Sequence, residues 1–179
     1  MATVLVPLAQ GCEELEAVTI IDLLRRAGID VVSAGLDDQP VRASRGVVLI
    51  PDTDLDSALK QDFDMLVLPG GLPGADYLDK DPRIQSLVKG MATKGKYTAA
   101  ICAAPKVLVS SGVLDNKKAT AYPGVLDALG RTAEADAVVQ DGKVITSRGP
   151  GTAMDFSLEL IEILVGKGKR DEVEKGLVR

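Results

Sequence analysis

The chain has 179 residues, 46% of them hydrophobic, which is enough apolar material for one core; a single domain over residues 1–179 is expected. A net charge of -5, 3% aromatic residues and no Trp exclude nucleic acid as a general electrostatic or stacking partner. Histidine is absent, and the two cysteines, Cys12 and Cys102, are too few for a disulfide framework or a structural zinc site.

Taken in chain order, Met1-Ala2-Thr3-Val4-Leu5-Val6 has no basic leader and reads as the start of a strand rather than a signal peptide. No apolar run has the length of a membrane span, so a soluble, cytoplasmic protein is expected. Val4-Leu8, Val31-Ala34, Met65-Leu68 and Thr98-Ile101 are short, almost continuous apolar runs. They lack polar alternation, as strands covered on both faces do. From Glu13 to Arg26, Ala17, Ile20, Ile21 and Leu24 recur at helical spacing, with Gly28 placed for a C-terminal cap. Val47-Ile50 reads as an additional strand. Asp81-Pro82 opens a second helix with a capping side chain and a proline in the first turn; Ile84, Leu87, Val88 and Met91 form its apolar face. Asp141-Gly142, between Ala137-Gln140 and Lys143-Thr146, predicts a hairpin turn. A third helix is expected near Thr152, with Asp155 at the capping-box spacing and Phe156, Leu160, Ile163 and Leu164 as its buried stripe. Alternating strands and helices predict a mostly parallel sheet with helices on both faces.

In such sheets ligands sit beyond the carboxyl ends of the strands. The segments at those ends are unusual here: Ala9-Gln10-Gly11-Cys12-Glu13-Glu14-Leu15-Glu16, Pro69-Gly70-Gly71-Leu72-Pro73-Gly74, Cys102-Ala103-Ala104-Pro105 and Ser147-Arg148-Gly149-Pro150-Gly151-Thr152. A cysteine at a strand-to-helix junction is where a nucleophile is presented, with backbone N–H groups and a helix end to lower its pKa. The bland alternative for Cys102 is a small buried hydrophobe. Glu16 lies beside the apolar stripe of its helix. Half-buried, it would stay protonated near neutrality and work as a proton shuttle beside Cys102; otherwise it is an ordinary acid near a helix start. Gly70 and Gly71 let backbone N–H groups approach a ligand and, with the N–H of Ala103, would form an oxyanion hole; the alternative is a plain turn. Cys12 reads as a passive small residue or a resolving thiol. Arg45 reads as a turn residue.

Several segments together resemble one family over nearly the whole chain. They are Glu13-Glu14-Leu15-Glu16-Ala17-Val18, Asp22-Leu23-Leu24-Arg25-Arg26-Ala27-Gly28-Ile29, Ser44-Arg45-Gly46-Val47, Val67-Leu68-Pro69-Gly70-Gly71, Ala99-Ala100-Ile101-Cys102-Ala103-Ala104-Pro105 and Thr146-Ser147-Arg148-Gly149-Pro150-Gly151-Thr152. The chain resembles the DJ-one/ThiJ/PfpI superfamily, in its small single-domain branch related to a parkinsonism-associated deglycase. The resemblance implies a flavodoxin-like α/β sandwich, a homodimer, Cys102 as nucleophile and Glu16 as its protonated partner. It further implies Gly70, Gly71 and Ala103 as backbone donors near the sulfur, Arg45 near the pocket, and Gly149-Pro150 at the partner's pocket edge. Many relatives carry a histidine where this chain has Tyr122, whose hydroxyl, with a pKa near 10, is a poor base that still orients a carbonyl oxygen.

The activity these features imply is cofactor-free and metal-free chemistry on reactive dicarbonyls, or on their adducts with amines and thiols, giving 2-hydroxy acids. Glyoxalase and deglycase action stay equally open. A second reading is a redox-responsive protective or chaperone-like protein that works through oxidation of Cys102. The absence of histidine argues against a glutamine amidotransferase, a peptidase-like relative and Ser-His-Asp hydrolysis. Gly-x-Gly-x-x-Gly is missing after the first strand, and no Gly-Lys-Ser/Thr comes after Gly70-Gly71, so dinucleotide and phosphate loops are excluded.

Overall fold

The apolar runs become the central strands of one sheet because each has a hydrophobic layer to meet on both faces. A computed structural model describes residues 1–179. Its strands are β1 (Thr3–Leu8), β2 (Asp30–Gly35), β3 (Val41–Arg42), β4 (Val48–Leu49), β5 (Thr53–Asp54), β6 (Met65–Leu68), β7 (Tyr97–Ile101), β8 (Val138–Asp141) and β9 (Val144–Ser147). Seven of them form a sheet in the order β5-β2-β1-β6-β7-β9-β8, parallel except for β8. The helices are α1 (Glu14–Arg26), α2 (Leu55–Ala58), α3 (Gly74–Lys80), α4 (Pro82–Thr93), α5 (Pro105–Ser110), α6 (Ala153–Val165) and α7 (Lys167–Gly176).

Side chains alternate across the sheet with the strand period of two. Val4, Val6, Val67, Ala99, Ile101 and Ile145 join Ile20 and Leu24 of α1 and Phe156 and Leu160 of α6 in one core layer. Leu5, Leu66, Leu68 and Ala100 join Leu78 of α3, Ile84 and Val88 of α4 and Val107 of α5 in the other. The result is a flavodoxin-like three-layer α/β sandwich. No helix is long and apolar enough to cross a membrane.

Three local expectations change. Val48–Leu49 forms a strand, but it pairs only with Val41–Arg42, in a hairpin outside the main sheet. The β8–β9 turn is Gly142-Lys143, because Asp141 still pairs with Val144; Gly142 has φ 61° and supplies the left-handed first position that a tight hairpin needs. The capping box at Thr152 does not form: its hydroxyl donates to Ser147 Oγ at 2.6 Å and accepts from the Gly149 N–H at 3.2 Å, while Asp155 pairs with Arg179. Asp81 does cap α4, accepting from the Arg83 N–H at 2.9 Å.

The strand order reverses between β1 and β6, since β2 lies on one side of β1 and β6–β7 on the other. The loops after β1, β6, β7 and β9 therefore gather at one end of the sheet, around the crevice where this fold places ligands.

Candidate functional site

Cys102 ends β7 with φ 65°, a left-handed conformation that is strained by about 1–3 kcal/mol for a side chain with a Cβ. The surroundings impose it. The Cys102 N–H donates to the Ser147 carbonyl at 3.0 Å, and the Cys102 carbonyl accepts from the Tyr122 N–H at 2.8 Å. Ser147 is locked in turn, its hydroxyl donating to the Ala137 carbonyl at 2.7 Å. With both backbone groups tethered, the chain turns sharply at Cys102 and the sulfur faces a cleft.

That cleft, about 320 Å³, is bordered by Cys102, Ala103, Gly71, Arg45 and Tyr122, all expected from the sequence. Glu13, Ser44, Leu72, Val125 and Pro150 complete it. Pro150 thus borders the pocket of its own chain. Arg45 is held by its backbone N–H, which donates to Glu14 Oε1 at 2.8 Å, leaving an exposed guanidinium that reaches the Ser44 carbonyl at 3.5 Å. Tyr122 is half exposed at the rim.

Glu16 and Gly70 lie behind this surface. Glu16 is completely buried, and its Oε1 accepts from the Gly70 N–H at 3.2 Å. Its Oε2 is buried with no hydrogen-bond partner of regular geometry, while the carboxyl as a whole interacts with the Cys102 thiol. Gly70 is consequently not the donor to the sulfur that the sequence suggested; its N–H is committed to Glu16. Its lack of a side chain is what matters, since a Cβ there would stand 2.7 Å from Cys102 Cβ. Gly71 has φ 88°, and a Cβ on it would meet the Glu13 nitrogen at 2.4 Å. The two loops touch backbone to backbone, with the Glu13 N–H donating to the Gly70 carbonyl at 2.9 Å.

Burial sets the electrostatics. Desolvation, reinforced by the charge of Glu13, raises the Glu16 carboxyl to about 8, against the hydrogen bonds from Cys102 and Gly70. Glu16 therefore keeps its proton at neutral pH. Desolvation, then the charge of Glu16, also raises the Cys102 thiol to about 12, while the N–H groups of Gly71 and Ala103 act to lower it. The sequence had led us to expect a thiol held well below its ordinary value by a helix end. The next helix begins only at Pro105, lacks an N–H there and runs for just 6 residues, so burial prevails. The two groups titrate as one unit, whose first proton leaves near pH 8 and whose second leaves far above it.

Glu13 escaped the sequence reading as a site residue. It is the N-cap of α1, its Oε2 accepting from the Glu16 N–H at 2.9 Å, and it borders the cleft. Its place just before the helix was the available signal, but that signal says capping and nothing of the pocket. Cys12 is buried, its thiol raised to about 12 by desolvation and then by Glu14 and Glu13, and it is no part of the cleft lining. No group of His, Cys, Asp or Glu side chains is arranged to hold a metal ion.

A family model described as the DJ-1/PfpI family matches residues 2–163. The chain is 44% identical over 181 residues to Protein DJ-1 homolog A of Arabidopsis thaliana, which covers 98% of the chain but 46% of that relative, about half its length. It is 44% identical over 178 residues to Protein dj-1beta of Drosophila melanogaster, covering 97% of the chain and 95% of that protein. The crystal structure of Drosophila DJ-1beta superposes with a TM-score of 0.95 over 99% of this chain and 97% of that one. A Caenorhabditis elegans protein named glutathione-independent glyoxalase DJR-1.2 is 36% identical over 179 residues, covering 98% of the chain and 95% of that relative.

Proposed function

The chain belongs to the DJ-1/PfpI family, and from that premise we propose that it is a cofactor-independent cysteine enzyme converting reactive dicarbonyls, or their glycation adducts, to 2-hydroxy acids. The observation that carries this reading is the burial of a protonated Glu16 against Cys102, at a strained elbow lined with backbone donors. The sulfur adds to the aldehyde carbon and forms a hemithioacetal, with the proton of the thiol passing to the oxygen. In this reading the N–H groups of Gly71 and Ala103, which favour negative charge on the sulfur, also serve as donors to the developing oxyanion. In the singly deprotonated pair the Glu16 carboxylate removes the proton from that carbon and delivers it to the neighbouring carbonyl carbon, while the hydroxyl proton of the hemithioacetal passes to the neighbouring oxygen. The first carbon is thereby oxidised to a thioester and the second reduced to an alcohol. Water cleaves the thioester, releasing the 2-hydroxy acid and regenerating the thiol. Tyr122 and Arg45, at the rim, orient the carbonyl oxygens.

On a free dicarbonyl this is glyoxalase action; on an adduct whose amine or thiol leaves, it is deglycase action. The relative named as a glyoxalase supports the first. A cytoplasmic homodimer belongs to the same reading. Leu15 and Val18 of α1 and Val47 and Val48 of the hairpin are exposed apolar side chains, which supports docking of a second copy. Lactate formation from methylglyoxal by the wild type and by Cys102→Ser tests the proposal. Loss of activity in the variant is expected; equal rates in both proteins would overturn it.

One observation favours a redox-responsive role as the second reading. Glu16 interacts with the Cys102 thiol and its Oε2 is unpartnered, which leaves the carboxyl ready to hydrogen-bond an oxygen added to Cys102 by a peroxide. Under this reading peroxide adds oxygen mass to Cys102 at low stoichiometry and lactate formation is absent.

A further inference from the structure

Beside the Cys102 cleft is a smaller hollow of about 170 Å³, lined by Leu72, Ala103, Lys106, Val125, Ala128 and Leu129. Leu72, Ala103 and Val125 border both spaces, so the hollow opens next to the residue just after the nucleophile. Its lining is apolar except for Lys106, whose ammonium group is taken by Asp76. Leu72 and Leu129 are 59% and 45% exposed. Large apolar side chains held at the surface contribute little to folding, and a cluster of them beside a pocket marks a binding surface. The chemistry assigned to Cys102 and Glu16 uses none of these side chains. A two- or three-carbon dicarbonyl does not need them either, since the main cleft alone reaches the size of about 300 Å³ at which pockets begin to enclose much larger organic molecules.

We propose that this hollow is a substrate subsite for an apolar group, aliphatic or aryl, carried on the carbonyl compound that reacts with Cys102. The favoured substrate class is then an α-oxoaldehyde with a bulky apolar substituent. The inference rests on Cys102 being the reacting residue. Ala103, whose N–H serves the sulfur, borders both spaces, so a carbon bonded to the sulfur has its substituent beside the hollow. A carboxylate substituent is a poorer fit, because the cation at the rim already has its counter-ion.

The test compares the alkylation of Cys102 by iodoacetamide and by N-phenyl iodoacetamide, monitored by intact mass. In both, a sulfur–carbon bond forms and iodide leaves; each rate is divided by that of the same reagent with N-acetylcysteine. Cys102→Ser identifies the site. The normalised preference for the phenyl reagent is expected to be about tenfold in the wild type, the range an apolar pocket gives for a modest group. It is expected to fall towards unity in Leu129→Asp, and in Leu72→Asp on the facing loop, both exposed positions where the fold tolerates a polar side chain. Leu59→Asp, an exposed leucine that borders neither space, leaves the preference in place. A wild-type ratio near unity, or a preference that survives both aspartate variants, overturns the subsite. The readout needs no turnover. A failed lactate assay with an intact preference removes the dicarbonyl reaction and keeps the subsite; lactate formation without a preference does the reverse.

Discussion

Replacing Glu16 by glutamine changes how the stability of the protein depends on pH, and the size of the change can be worked out. Glu16 is fully buried, and desolvation raises its carboxyl from 4.5 to about 8. The folded chain therefore binds this proton more tightly than the unfolded chain does. The stability that the bound proton contributes is complete below about pH 4.5, falls as pH rises through the window, and is gone above about pH 8. At about 1.36 kcal/mol for each factor of ten in proton affinity, the full loss is about 5 kcal/mol, and about 4 kcal/mol of it falls between about pH 5 and pH 8.5. Glutamine keeps an oxygen for the Gly70 N–H but carries no titrating proton. Urea unfolding of both proteins monitored by circular dichroism across that range gives the comparison, and ionisations of groups not coupled to Glu16 cancel in the difference. The wild type is expected to lose about 4 kcal/mol relative to Glu16→Gln, a large part of the stability of an ordinary domain. Two curves that stay parallel from pH 5 to 8.5 would refute the claim that Glu16 is a buried, protonated acid.

Under the proposed function the same carboxyl sets how activity depends on pH. The log of kcat/KM for methylglyoxal should rise with pH and level off near pH 8, where the Cys102–Glu16 pair loses its first proton; a flat profile from pH 6 to 9 contradicts the coupling. Glu13→Gln removes the second-largest cause that raises Glu16, so the midpoint of that rise should move to lower pH while the N-cap oxygen is retained. Gly70→Ala places a Cβ 2.7 Å from Cys102 Cβ, so a loss of about 1–3 kcal/mol in stability and a displaced sulfur are expected, read by thermal unfolding and alkylation rate. Tyr122→Phe removes an exposed hydroxyl at the rim: stability should change by less than about 0.5 kcal/mol, while kcat/KM falls if that hydroxyl orients a substrate oxygen.

Much of the fold was legible because its signals are local. The apolar runs at Val4-Leu8 and Met65-Leu68 could only be strands covered on both sides, and the loops after them stood out by their glycines and by Cys102. The errors came where the folded backbone supplies a competing partner that the local pattern does not show. Val48–Leu49 has strand character, but the edge of the sheet next to β2 is occupied by Thr53–Asp54, which leaves it to pair with Val41–Arg42. Thr152 has the spacing of a capping box, yet Ser147 and Gly149 compete successfully for its hydroxyl. Gly70 looked like a donor to the sulfur until Glu16, from another element, claimed its N–H.

The alternation of strands and helices, the end of the sheet on which chemistry-bearing residues collect, and Cys102 as the residue at the critical turn were all written in the linear chain. Periodicity, turn residues and strand-end position are properties of short stretches of chain, and physics acts on them locally. That Glu16 is fully rather than half buried, that Glu13 tunes it, and that the thiol is raised rather than lowered became visible only in three dimensions. Protonation depends on the summed desolvation and charge contributed by residues from several elements, and those distances come into existence only when the sheet closes and brings its loops together.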